Sequence, residues 1–196
     1  PLLQSSAASD VYKRQVPIYF GYEKVVEGAS YLRELRGSAK KQERLSDLIT
    51  NINVTRQNFG TLQVNVAPPI KLDKWLSDHH ALQASSDDKV IALGQSIMRS
   101  INERASINPV NLVALAITQR THLTMHDDAL GGQVACFRQL ARRLHGEAIL
   151  TSNVESGRDI IDQVAALGFI RRQTEEPWVC CNSSAATLLS WYRNNC

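Results

Sequence analysis

The side chains best spaced to do chemistry are His122 and Asp127, five positions apart in the run His122-Leu-Thr-Met-His-Asp127. An imidazole oriented by a carboxylate can act as a general base toward a hydroxyl. The same stretch lies where a helix is expected to begin, and there Thr124 and Asp127 have ordinary capping and first-turn roles. His126 stands four residues after His122, a helical spacing for a metal pair. Two histidines with one acid fall short of a ligand set, so surface histidines are the plainer reading. A second chemical group is cationic. Between Arg33 and Arg44 the chain carries Arg33, Arg36, Lys40, Lys41 and Arg44 against Glu34 and Glu43, a local excess equal to the +3 of the whole chain. An anionic partner would be met there.

These groups need elements to hold them. Val16 to Gly21 alternates Val16, Ile18 and Phe20 with Pro17, Tyr19 and Gly21, the period-two pattern of a strand, and Pro17 suits a first or edge position. The basic residues follow on what reads as a helix. A strand end meeting a cationic helix is a common place for phosphate recognition. From Lys40, apolar residues Leu45, Leu48, Ile49, Ile52 and Phe59 recur at helical steps until Gly60. Thr61 to Val66 alternates again, and Ala67-Pro68-Pro69 ends it. Strand, helix, strand reads as a βαβ-like unit, which favours parallel pairing.

Bulk properties bound the rest. The 196 residues suffice for one ordinary core or two small domains, and 43% hydrophobic with 21% charged residues describes a globular chain without disorder or fibrous repeat. Cys136, Cys180, Cys181 and Cys196 form no Cys-x-x-Cys spacing, and a bridge between neighbours is strained, so reduced thiols are expected. No run approaches the roughly 20 apolar residues of a membrane span. Residues 1–15 carry no apolar period, resemble translated sequencing adaptor, and are expected to be disordered.

Beyond Leu72–Trp75, a short helical turn, His79 to Asp88 is polar, and a domain boundary is placed there, giving domains at 16–80 and 86–196. Ser86 or Asp87 can cap a helix facing inward through Val90, Gly94, Ile97, Met98, Ile101 and Ala105. Asn108-Pro109 caps the apolar run Val110 to Ile117. Thr124 begins a helix with Leu130, Val134, Phe137, Ala141 and Leu144 inward, weakened by Gly131-Gly132. Ser156 caps another, carrying Ile160, Ile161, Val164 and Leu167 up to Gly168. Phe169–Arg172 and Trp178–Cys181 form a hairpin, and Leu188–Arg193 is helical. Three helices and a hairpin make a winged-helix outline. The expected fold class is an α/β half-domain followed by a mainly helical C-terminal region.

VPIYFGYEKVVEGASYLRELRG from Val16, KKQERLSDLI from Lys40 and RQNFGTLQVNVAPPIKL from Arg56 resemble, in order and spacing, the downstream half of the acyltransferase domain of bacterial glycerol-3-phosphate acyltransferases, the large membrane-associated form. Trp191-Tyr-Arg-Asn-Asn195 is similar to the family's Tyr-Tyr-Arg-Asn-Asn. The chain departs at Val64-Asn-Val-Ala-Pro-Pro-Ile70, where the family commonly reads Val-Asn-Phe-Gly-Glu-Pro-Ile. The resemblance implies a partial acyltransferase fold in which Val16-Pro-Ile-Tyr19 is the fourth acyltransferase block, lining the active site. The family's catalytic His-x-x-x-x-Asp block lies upstream of that block, so no catalytic residue is expected in this chain. His122…Asp127 stands after the block and outside the family's Gly/Ser-rich setting, and is read as coincidental.

The parent reaction implied by the resemblance is acyl transfer from acyl-CoA or acyl-carrier protein to the first hydroxyl of glycerol 3-phosphate, in a peripheral protein on the cytoplasmic face of the bacterial inner membrane. It calls for no cofactor and no metal. Pro17, Tyr19 and Arg36 are candidate substrate-binding residues. Lys40 and Lys41 are candidates for an anion or membrane surface, where each basic residue is worth about 1 kcal/mol against anionic lipid. A solvated helix face competes with that reading. For residues 108–181 the alternatives are a winged-helix nucleic-acid binder and a structural helper module. The helix Gly157 to Leu167 offers Arg158 but also Asp159 and Asp162, and acids facing phosphates argue against nucleic acid as a partner.

Overall fold

The computed structural model describes residues 14–26, 28, 32, 58–79, 85–173, 175–182 and 185–194. Arg36, Lys40, Lys41, the expected helix through Leu45, Leu48, Ile49 and Ile52, residues 1–13 and Cys196 lie outside the described residues. Two compact units divide the chain, one from residues 1–20 and 63–105, the other from residues 21–62 and 106–196.

In the first unit, β1 (Arg14–Gln15) pairs antiparallel with β4 (Ile70–Lys71), through Arg14 with Lys71 and Gln15 with Ile70. These two residues belong to the stretch expected to be disordered, and they are extended. β2 (Ile18–Tyr22) is joined to β3 (Leu62–Val66) in a two-stranded sheet, of which residues 18–20 and 63–66 belong to this unit and residues 21–22 and 62 to the other. The flanking hydrogen bonds run from the Ala67 amide to the Pro17 carbonyl and from the Glu23 amide to the Thr61 carbonyl, so the strands are antiparallel. The expected parallel pairing is thereby corrected. Parallel strands are buried on both faces, whereas β3 leaves the face of Leu62, Val64 and Val66 exposed.

α1 (Leu72–Asp78), a longer helix than the turn expected, buries Trp75, whose indole donates to Ser96 Oγ at 3.2 Å and stacks on His79. α2 (Ser86–Asn102) is capped by Ser85, with Asp88 completing a reciprocal capping box. Its expected inward face needs correction: Val90 and Met98 are exposed with Ile91, while Ile97 and Ile101 are half-buried.

The second unit holds the main core. α3 (Pro109–Ile117) has Pro109 at its first turn and a capping box between Asn108 and Asn111, and it is buried on nearly every side. α4 (Asp127–His145) and α5 (Gly157–Ala166) pack on it through Leu130, Val134, Ile160, Ile161 and Val164. Leu144 is 67% exposed, so the inward stripe of α4 ends at Ala141. Thr124 opens no helix. Thr124–His126 is strand β5, because Met125 drops into the core, and α4 starts at Asp127 without a side-chain cap. β6 (Ile170–Arg172) and β7 (Trp178–Cys181) complete an antiparallel sheet in the order β5-β7-β6, and α6 (Ala186–Arg193) contributes Leu189 and Tyr192 to the core.

Asn108 does two jobs: its Oδ1 accepts from the Asn111 amide at 3.0 Å and its Nδ2 donates to the Tyr22 carbonyl at 3.0 Å. Asn108→Ala is expected to cost about 2 kcal/mol, the sum of a lost cap and a carbonyl left without its donor. Urea unfolding followed by circular dichroism measures it, and a loss below about 0.5 kcal/mol would show that water replaces both bonds.

Candidate functional site

Pro17, just ahead of β2, is buried and Tyr19 on β2 is half-buried, while Phe20 on the opposite face is 52% exposed. The two residues implied as pocket lining thus share the inward face of the strand. Arg36, Lys40 and Lys41 lie outside the described residues.

The residues that the structure does bring together follow the end of β2. Glu23 is 3% exposed, and its carboxylate accepts from the Thr61 amide at 2.8 Å and from Gln163 Nε2 at 2.9 Å. Burying a carboxylate costs several kcal/mol unless donors meet it, and here donors reach both oxygens. Gly60, at φ +69°, lies so close that an added Cβ would stand 2.1 Å from Glu23 Oε2. Lys24 Nζ donates to the Leu167 carbonyl at 2.9 Å, at the C-terminal end of α5, where a cation also meets the helix dipole. The Val25 amide donates to the Tyr192 hydroxyl at 3.0 Å, and Asn111 Nδ2 donates to the Tyr192 carbonyl at 2.9 Å. Burial above all pushes the Tyr192 phenol up to about 12. The Val25 amide opposes that shift, and the Glu23 charge adds to it.

This arrangement holds backbone, with Glu23 engaged as an acceptor by two donors. Sequence reasoning missed Glu23, Gln163, Asn108 as a clamp, and Tyr192. A usable signal was present in Gly60, because a glycine closing a long apolar stripe marks a position where something approaches the backbone.

The His122…Asp127 spacing carries no catalytic pair. His122 is exposed, and the Asp127 carboxylate is held by Arg172 Nε at 3.1 Å and by Arg158 at 3.7 Å. His126 packs edge-on to Trp178 with ring centroids 5.9 Å apart, and among the described residues no group of histidines, cysteines and acids could hold a metal. Thr124 and Asp127 make no side-chain cap, so Asp127 owes its place to the two arginines. Arg172 also pairs with Asp162, so α5 and the hairpin present arginines already matched by acids. Burial, with the neighbouring Cys180 adding to it, pushes the Cys181 thiol up to about 11, which disfavours the thiolate. No helix among the described residues is long and apolar enough to cross a membrane.

Residues 31–196 match the family model of the glycerol-3-phosphate acyltransferase C-terminal region. The chain is similar to a glycerol-3-phosphate acyltransferase of Pseudomonas fluorescens, at 34% identity over 92% of this chain and 23% of the relative. Similar figures hold for the same-named proteins of Ectopseudomonas mendocina, at 34% over 92% of the chain, and Pseudomonas putida, at 32% over 98% of it. The chain spans about a quarter of the length of the curated relatives it matches.

Proposed function

The chain belongs to the family of glycerol-3-phosphate acyltransferase C-terminal regions, and from that membership we propose that it is the part of such an enzyme which backs and holds the strand carrying Pro17 and Tyr19. The parent moves an acyl group from acyl-CoA or acyl-carrier protein to the first hydroxyl of glycerol 3-phosphate. It works as a peripheral protein on the cytoplasmic face of the bacterial inner membrane, with Pro17, Tyr19 and Arg36 toward substrate and Lys40 and Lys41 toward anionic groups. The family match over residues 31–196 and the acyltransferase relatives support the acyl-transfer reading of the parent. Within the second unit, the order α3, β5, α4, α5, β6, β7 with the sheet order β5-β7-β6 supports a winged-helix arrangement. Its arginines Arg158 and Arg172 are neutralised by Asp127 and Asp162, which favours a structural module over a nucleic-acid binder.

Two measurements test the proposal. The purified chain, assayed with glycerol 3-phosphate and acyl-CoA, is expected to show no acyl transfer, since its one His-x-x-x-x-Asp spacing is occupied by ion pairs. Turnover above blank would overturn that. A chimaera of the Pseudomonas fluorescens acyltransferase, with its matching quarter replaced by residues 16–196, is expected to retain activity. A folded but inactive chimaera would sink the assignment.

A further inference from the structure

The turn Tyr22–Val26 is attached to its unit by polar ties, with little apolar burial of its own. Tyr22 and Val26 are exposed, and Val25 is the residue of the turn that packs partly against the core. The ties come from four separate places: Asn108 ahead of α3 to the Tyr22 carbonyl, Gln163 on α5 and the Thr61 amide to Glu23, the Leu167 carbonyl to Lys24, and Tyr192 on α6 to the Val25 amide. A segment with few buried apolar contacts and several hydrogen bonds opens locally at lower free energy than the core around it. Hydrogen bonds that share one short stretch of backbone also cannot be broken independently, because moving Glu23 out of its site displaces the amides on either side.

We propose that Tyr22–Val25 is a polar latch, which opens from and closes on the helical bundle as one cooperative unit with the Glu23 carboxylate as its keystone. Closure fixes the Gly21–Tyr22 end of β2, which belongs to this unit, and opening releases it. Glu23 is the keystone because it is the buried charge of the set. Gly60 leaves no room for a displaced side chain: with the carboxylate gone from its seat, the Thr61 and Gln163 donors lose their common acceptor. The inference stands on the geometry of this unit and is independent of the acyltransferase reading.

The test uses the whole chain and amide hydrogen exchange read by NMR at Val25 and Thr61, with amides of α3 as reference. In Glu23→Leu both acceptor oxygens are lost at similar side-chain volume, and exchange at both sites is expected to accelerate together by at least tenfold while α3 is unchanged. The exchanged pair Glu23→Gln with Gln163→Glu rebuilds both bonds, since the glutamine at 23 accepts from Thr61 and donates to the glutamate at 163. Protection is expected to return to within about threefold of the parent. Acceleration at Thr61 with Val25 unmoved would overturn the cooperative latch. Failure of the exchanged pair to recover, whether the single variant opens locally or unfolds outright, would overturn the role of Glu23.

Discussion

Gly157→Ala is expected to destabilise the helical unit by about 3 kcal/mol, while Gly131→Ala, at the facing glycine, is expected to be neutral or stabilising by up to about 1 kcal/mol. The asymmetry follows from where each new Cβ would go. At Gly157 it would stand 2.0 Å from the Gly131 carbonyl oxygen and 2.7 Å from the carbonyl carbon, both backbone atoms of α4. Neither can rotate away, so α5 must slide off α4 and loosen the packing of Leu130 and Val134 against Ile160 and Ile161. At Gly131 the nearest atoms lie at 3.8 Å, ordinary contact, and alanine gains helix propensity in the second turn of α4. Chemical denaturation of the two variants measures the difference. Equal stabilities would mean that α4 and α5 do not approach as closely as their backbones indicate.

The same pair of glycines shows what was legible in the sequence and what was not. Gly131-Gly132 inside an apolar stripe reads as a weak point in a helix, yet Gly131 is where another helix comes into backbone contact. That contact is not visible locally, since Gly157 lies in a different element. Local signals fared better. Asn108-Pro109 before an unbroken apolar run marked α3 and its cap, and Gly168 at φ +85° closed α5 as expected. The antiparallel pairing of β2 and β3 was available in their alternation but was outweighed by the helix expected between them. Glu23 was invisible for a plainer reason. Its partner Gln163 is 140 residues away, and an isolated acid at a strand end has the composition of any solvated turn. Family resemblance compensated in part, because it marked the stretch from Val16 and the Trp191-Tyr192 end as belonging to one protein without saying that they touch.

That contact makes Tyr192 the second position of large effect. Its side chain is 1% exposed, its ring meets Phe169 edge-on at 5.4 Å and Trp191 at 4.9 Å, and its hydroxyl accepts from Val25. Tyr192→Ala removes the ring and the acceptor and is expected to cost about 3–5 kcal/mol, the usual range for deleting a buried aromatic. Tyr192→Phe keeps the packing and leaves the Val25 amide without its acceptor, a loss of about 1–3 kcal/mol. The phenol also predicts a pH dependence. Its folded pKa of about 12 lies above the ordinary 10.0, so between those values the unfolded chain has lost a proton that the folded chain retains. Stability from this group is therefore fully present below pH 10 and declines as pH rises through the folded value. Other groups titrate in the same range, so the diagnostic quantity is the difference between the parent and Tyr192→Phe. That difference is expected to shrink from pH 9 to pH 12 in urea denaturation. A constant difference would place the hydroxyl in water instead of against Val25.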